Sequence, residues 1–254
     1  MNKIQLMSHL VAGYPTDELA FTAASAMVAG GADILEVQLP FSDPSADGPA
    51  IQGACTEVLS RRYRTADGLA FIARLHQTFP DTRIYLMSYG SLIYTPGVEA
   101  FCKKAAEAGV NGMIIPDLPF DHDEGLTAAC RANGMENIPV AAPSMAADRL
   151  DTLARAGFAH IYAALRTGIT GSSTTIDERT VAFLNKVSAG GSRVYGGFGI
   201  QDGTQAKALA SSVEAIVAGS VFVRLIEANR TDGKKLYEAV KAKAEELTGQ
   251  RPPL

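Results

Sequence analysis

The stretch Leu35-Glu-Val-Gln-Leu-Pro-Phe-Ser-Asp-Pro-Ser-Ala-Asp-Gly-Pro49 gathers the residues best able to do chemistry. Its first half is an apolar run from Ile34 to Leu39, interrupted only by Glu36 and Gln38, and Pro40 stops it. Alternation on a strand puts Glu36 and Gln38 on one face and Leu35, Val37 and Leu39 on the other. A carboxylate inside a buried strand costs several kcal/mol unless it is paired or has a task. Glu36 is therefore either a satisfied core group or a catalytic one. Asp43 and Asp47 follow at once in a turn-rich segment. Both Ser-Asp-Pro and Ala-Asp-Gly form turns readily, so turn and capping duty is the alternative to a catalytic role. Two more carboxylates in the loop just after the strand favour the functional reading of Glu36.

Something must hold those groups in place, and a repeated unit supplies it: an Ala-rich helix, a glycine stop, then a short apolar strand. It appears as Ala29-Gly-Gly-Ala-Asp-Ile-Leu-Glu-Val37, as Ala108-Gly-Val-Asn-Gly-Met-Ile-Ile115 and as Ala156-Gly-Phe-Ala-His-Ile-Tyr-Ala163. Ser212-Val-Glu-Ala-Ile-Val217 is a weaker fourth copy. The glycines suit the left-handed residue that ends a helix, and short continuous apolar runs suit a parallel sheet covered by helices. Strands are expected near 4–11, 33–38, 83–88, 112–116, 139–142, 160–164, 193–195 and 215–217. Helices are expected near 17–29, 66–78, 98–108, 122–132, 146–156, 178–188, 203–211 and 234–248, with a short extra one over 220–227. Thr16 reads as the N-cap of the first helix, ahead of Asp17 and Glu18. Eight strands alternating with eight helices predict a (β/α)8 barrel as one domain over 1–254, with a doubly wound open sheet as the alternative.

In a barrel, active groups lie at the C-terminal ends of the strands. That places Glu36, Asp47, Asp117, in Ile115-Pro-Asp-Leu-Pro119, and Tyr162 around one mouth. Arg166-Thr-Gly-Ile-Thr-Gly-Ser-Ser-Thr174 reads as a mobile lid or as an ordinary connector. Gly196-Gly-Phe-Gly-Ile200 and Gly219-Ser220 follow the last two strands, the second opening a short helix. Glycine allows close backbone approach and a helix N-terminus offers free N–H groups, so these turns suit a phosphate, with tight βα turns that hold no ligand as the alternative. They contain no Lys or Arg, so backbone dipoles rather than a point charge would hold it.

Composition narrows the classes. The chain has 254 residues, 47% of them hydrophobic and 20% charged, enough for one large core. A net charge of -4 without a basic cluster argues against nucleic acid. No apolar run reaches the ~20 residues a membrane span needs, and the N-terminus makes a poor signal peptide. Cys55, Cys102 and Cys130 are scattered without CxxC spacing, against a disulfide framework or a zinc site. A reduced, cytoplasmic protein without metal is expected. His76 and His122 read as solvated helix residues, and His9 and His160 as structural strand residues. No Ser–His–Asp pattern, P-loop or dinucleotide fingerprint is present.

These residues together resemble the tryptophan synthase alpha subunit over nearly the whole chain. The resemblance rests on Glu36 to Gln52, ending Ala46-Asp-Gly-Pro-Ala-Ile-Gln52, on Leu165-Arg-Thr-Gly-Ile-Thr-Gly171, and on Gly197-Phe-Gly-Ile200 with Gly219-Ser220. It implies retro-aldol cleavage of indole-3-glycerol phosphate to indole and glyceraldehyde 3-phosphate in tryptophan biosynthesis. It further implies no metal or organic cofactor on this chain, and an alpha2-beta2 tetramer with a beta subunit that carries pyridoxal phosphate. By resemblance Glu36 is the acid/base, Asp47 accepts the indole N–H and Tyr162 lines the pocket. Tyr89, Thr170, Gly171, Phe198, Gly199, Gly219 and Ser220 hold substrate and phosphate, with Thr170 closing against Asp47. Asp43 and Asp117 match positions that meet the beta subunit. Four departures stand out: Gln38 where the family has Gly, Ser45 for a usual Leu, Ser91 for a usual Asn, and a start almost at the first strand without the family's N-terminal helix. Gln38 keeps open a regulatory partner that activates a beta subunit with little turnover of its own. Another phosphate-binding barrel enzyme is the third reading, and it usually brings a catalytic Lys or an Asp/Cys pair that is not found here.

Overall fold

The repeated helix–glycine–strand unit builds the molecule stave by stave. The computed structural model describes residues 5–165 and 175–250. Parallel strands β1 (Gln5–Val11), β2 (Ile34–Gln38), β3 (Arg83–Met87) and β4 (Gly112–Ile114) lie side by side. The next stave comes in two pieces, β5 (Glu136–Asn137) and β6 (Val140–Ala141), followed by β7 (His160–Ala164), β8 (Arg193–Gly197) and β9 (Ala215–Ala218). Strand β9 pairs back onto β1. The break in the fifth stave falls at Pro139, which has no N–H to give to a ladder. The ladder continues through its neighbours, with Ile138 N–H donating to Met113 at 2.9 Å and Tyr162 N–H to the Pro139 carbonyl at 2.9 Å. Residues 136–141 therefore join β4 on one side to β7 on the other and close the barrel. The alternative of an open doubly wound sheet fails on this closure.

Helices α1 (Asp17–Ala29), α2 (Pro49–Ser60), α3 (Thr65–Thr78), α4 (Gly90–Tyr94), α5 (Val98–Glu107) and α6 (Leu126–Ala132) alternate with the strands of the first half. The second half adds α7 (Ala147–Ala154), α8 (Glu178–Val187), α9 (Gly203–Leu209), α10 (Ser220–Ala228) and α11 (Gly233–Leu247). Thr16 caps α1 as expected, accepting a hydrogen bond from Leu19 N–H at 3.2 Å. Gly31, Gly109 and Gly157, the stops of the repeated unit, all have positive φ, at 92°, 90° and 79°. Side chains that point outward from the strands, such as Leu35, Val37, Leu86 and Ile161, share one core with the helices. Those that point inward, including Met7, Ile34, Tyr85, Ile138, Tyr162, Tyr195 and Val217, fill the barrel. Period-two alternation thus sorts each strand between two apolar layers.

Three local expectations need correction. Helix α2 runs over residues for which no element was expected. Its Pro49 stands at the first helical position, with Ile51, Ala54, Cys55 and Val58 buried on one face. Helix α6 starts at Leu126 rather than 122, because the Asp123 carboxylate turns back onto Gly125 N–H (3.0 Å) and Thr127 N–H (2.8 Å). His122 is 79% exposed but lies in the preceding turn, and His76 is half-buried, closing the space beside Gly109.

Gly53 sits mid-helix in α2, exposed, with open space where a β-carbon would go. Gly53→Ala is expected to stabilise the fold by about 0.5–1 kcal/mol, because glycine loses more backbone freedom on entering a helix. Chemical denaturation with an unchanged or lower midpoint would contradict this.

Candidate active site

The inward alternation that fills the barrel floor with tyrosines delivers ionisable groups to its other end. At the floor, Tyr85 and Tyr195 share a 3.0 Å hydrogen bond, and His160 stacks on Tyr195 while pairing with Glu136 at 2.6 Å. His160 is structural, as expected. Toward the C-terminal ends, the inward positions become His9, Glu36, Gln38, Met87, Ile114, Val140, Tyr162 and Val217. Most of these line a cavity of about 550 Å3, its open mouth included, whose other walls are Asp47, Phe198 to Ile200 and Gly219-Ser220. A largely apolar cleft at the mouth of a barrel, with a few convergent polar groups, suits a small-molecule ligand.

Glu36 is 4% exposed and has a partner that the sequence reading missed: His9 Nδ1 lies 2.9 Å from its Oε2. His9 is therefore no ordinary strand residue. It is 3% exposed, and its Nε2 is buried without a protein hydrogen-bond partner among the described residues. The signal was present but needed the strand pairing: His9 and Glu36 are register partners on β1 and β2. Burial works against a charged imidazole, yet the hydrogen bond and charge of Glu36, with Asp47 adding, outweigh it and raise the His9 pKa above 6.5.

Asp47 is 3% exposed and held by two donors on one oxygen. Gln38 Nε2 and the Tyr89 hydroxyl each donate to Oδ2 at 2.8 Å. The Tyr89 hydroxyl also accepts Ala46 N–H at 3.1 Å, and its ring stacks on Phe41 at 5.0 Å. Tyr89 thus stands behind Asp47. Gln38, the departure beside the carboxylate, orients Asp47 instead of blocking it. Burial raises the Asp47 pKa, and the His9 charge and the two donors offset only part of that effect.

Tyr162 faces Glu36 and Asp47, and burial together with those two carboxylates pushes its pKa well above 10, so it remains a neutral hydroxyl. Its ring meets Phe198 edge-on at 5.9 Å. Gly197 is required beside it, because a β-carbon there would collide with the Tyr162 hydroxyl. Phe198 has φ 75° and Gly199 φ 91°. A non-glycine residue held at positive φ costs on the order of 1–3 kcal/mol, and such strain collects at functional sites. Gly219 caps α10 and Ser220 begins it, and both line the cavity, so the N-terminus of that helix borders the space. No Lys or Arg is among the described lining residues.

The structure gathers Glu36, Asp47, Tyr162, Phe198, Gly199, Gly219 and Ser220 around one space. Asp43 and Asp117 do not enter it. Asp43 is exposed and accepts from Ser42 Oγ at 2.6 Å, and Asp117 is exposed and receives Gly90 N–H at 3.0 and 3.1 Å on its two oxygens. Ser45 is exposed as well. Thr170 and Gly171, with the lid read over residues 166–174, lie outside the described residues. No group of three His, Cys, Asp or Glu is placed to hold a metal ion among the described residues.

Comparison with known proteins gives the same reading as the geometry. The family model for the tryptophan synthase alpha chain matches residues 1–251. The tryptophan synthase alpha chain of Helicobacter hepaticus is 38% identical over 230 residues, 88% of this chain and 86% of that protein. That of Cupriavidus metallidurans is 37% identical over 223 residues, 87% and 84% of the two. A solved tryptophan synthase from Mycobacterium tuberculosis superposes with a TM-score of 0.86 at 29% identity, covering 97% of this chain and 92% of that one. None of these matches favours the regulatory partner or the other barrel enzyme. With a closed barrel, paired carboxylates at its mouth and these relatives, the chain belongs to the tryptophan synthase alpha chain family.

Proposed function

We propose that this chain is a lyase that cleaves indole-3-glycerol phosphate to indole and glyceraldehyde 3-phosphate, with Glu36 transferring the protons. The observation that carries this is the placement of two buried carboxylates, Glu36 and Asp47, in one cavity that ends at the Gly199 and Gly219 turns. The reaction needs a proton on indole C3 and the removal of the proton from the hydroxyl on the adjacent glycerol carbon. That oxygen's electron pair then forms the aldehyde as the bond to C3 breaks, and the bonding pair returns to the ring. Glu36 lies within the cavity for both transfers. Asp47, with Oδ2 held by Gln38 and Tyr89, turns Oδ1 to the indole N–H and steadies the positive charge that develops on the ring. Tyr162 and Phe198 give the indole its apolar wall.

The phosphate sits in this proposal at the α10 N-terminus, on the backbone of Gly199, Gly219 and Ser220. The step uses no metal or organic cofactor on this chain. The tryptophan synthase alpha family works with a beta subunit, and we place Asp43 and Asp117, on the rim of the mouth, at the contact in an alpha2-beta2 assembly whose beta chain holds pyridoxal phosphate. Among the described residues no helix is long and apolar enough to cross a membrane, and the reading is of a cytoplasmic enzyme.

The turn assignment has its own test. Gly199→Val forces a β-branched residue to positive φ, and Gly219→Val puts a side chain against His9. Each is expected to weaken glycerol 3-phosphate binding on the order of tenfold, more than any single Lys→Ala change. Calorimetry that finds unchanged affinity in both folded variants removes the phosphate from these turns.

A further inference from the structure

His9 occupies a place that packing alone does not explain. It lies on β1, between Glu36 on β2 and the phosphate turn after β9. One ring nitrogen, Nδ1, is engaged by Glu36 Oε2 at 2.9 Å. On the other side, a β-carbon on Gly219 would stand 3.5 Å from His9 Cβ and Cγ and 3.7 Å from Cδ2, so the Cδ2–Nε2 edge borders the turn. Nε2 is buried, makes no hydrogen bond to protein among the described residues, and belongs to a residue in the cavity wall. A buried ring nitrogen without a partner is costly unless something else supplies the bond.

We propose that His9 acts as an imidazolium bridge in this site, its Nδ1–H held by Glu36 and its Nε2–H donated to an oxygen of the glycerol phosphate end of the substrate. Both nitrogens of the imidazolium are donors. The site therefore holds one titratable cation beside backbone N–H groups, in place of the backbone dipoles alone that the absence of Lys and Arg implied. The ring also fixes which Glu36 oxygen is engaged, leaving Oε1 to meet the substrate. His9 is faced by Glu36 on β2, by Asp47 after β2, by the neutral Tyr162 across the barrel and by the partly positive start of α10. The hydrogen bond and charge of Glu36, with Asp47 adding, outweigh burial and raise the His9 pKa, which favours the imidazolium form.

The bridge rests on the phosphate reading above but is tested apart from cleavage, by calorimetry of glycerol 3-phosphate between pH 6 and pH 9. His9→Phe keeps a ring and removes both nitrogens; His9→Asn keeps a donor for Glu36 and removes the charge. A phosphate monoester itself loses its second proton near pH ~6, so the readout is the ratio of wild-type to variant affinity at each pH. That ratio should be about ten- to a hundredfold at the acidic end, the usual worth of a hydrogen bond to a charged group, and fall toward one as His9 deprotonates. If His9→Phe does not fold, His9→Asn decides. Equal affinity and equal pH dependence in wild type and His9→Asn would overturn the bridge and leave the phosphate site standing. A wild-type chain that binds no glycerol 3-phosphate at any pH would remove the phosphate site and the bridge with it.

Discussion

Glu36→Gln is expected to cut indole release by about 10²–10⁴-fold, the usual worth of a positioned acid–base group. Glutamine keeps the size of the side chain and an oxygen for His9, so the barrel should fold as before. What it loses is the ability to take a proton from the glycerol hydroxyl and return one to indole C3. Affinity for glycerol 3-phosphate should change far less than turnover, because the backbone of the Gly199 and Gly219 turns is untouched and the glutamine oxygen can still hold His9 Nδ1. Loss confined to kcat is the signature of an interaction made in the transition state. A variant that keeps more than about half of wild-type turnover would take Glu36 out of this role.

Asp47→Asn should lower activity and raise stability together. The carboxylate presents one oxygen to Gln38 and Tyr89, and the other is the proposed acceptor for the indole N–H. If Asn keeps its oxygen toward Gln38 and Tyr89, its NH2 group faces the ring N–H, donor against donor. A loss on the order of 10²–10³-fold follows, comparable with removing one electrostatic partner of a developing charge. Stability moves the other way. Burial is the main cause that holds Asp47 above its ordinary 3.8. Below 3.8 the residue is protonated in both folded and unfolded chains and contributes nothing. Above the raised folded value it is ionised in both, and the folded state bears the full cost of the buried charge. The thermal midpoint of Asp47→Asn should therefore exceed wild type at neutral pH, each kcal/mol of relief being worth ~2–4 °C. The gain should vanish as pH falls below 3.8. Melting curves showing a lower midpoint for the variant at neutral pH would contradict the assigned cost.

The parts of this molecule that were legible in the sequence are those fixed by short-range physics. The Ala–Gly–apolar unit reported three staves because a positive-φ stop is a local requirement, met at Gly31, Gly109 and Gly157. Glu36 stood out because an acidic residue within an apolar strand is an anomaly in any fold. Helix α2 did not stand out, since it lies directly behind the turn-forming Ala-Asp-Gly and contains Pro49 and Gly53, and burial of Ile51, Ala54, Cys55 and Val58 on one face decides for a helix. The split fifth stave was equally hidden: Pro139 shows where a bond is missing, not that Ile138 and Tyr162 carry the ladder past it. In the site, the partners of the carboxylates are long-range. His9 is 27 residues from Glu36 and Tyr89 is 42 from Asp47, separations that only strand register brings together. Gln38 stood out only as a departure, because a departure from a family pattern names a position without saying what the new side chain bonds.

The central claim is that this cavity performs acid–base cleavage of indole-3-glycerol phosphate through Glu36. Indole release by the purified chain, followed with and without a beta subunit and in parallel with Glu36→Gln, tests it most directly. The account predicts indole and glyceraldehyde 3-phosphate in equal amounts from the wild-type chain, more quickly with the beta subunit present, and almost none from the variant. No indole from the wild type under either condition, or equal indole from wild type and variant, would contradict it.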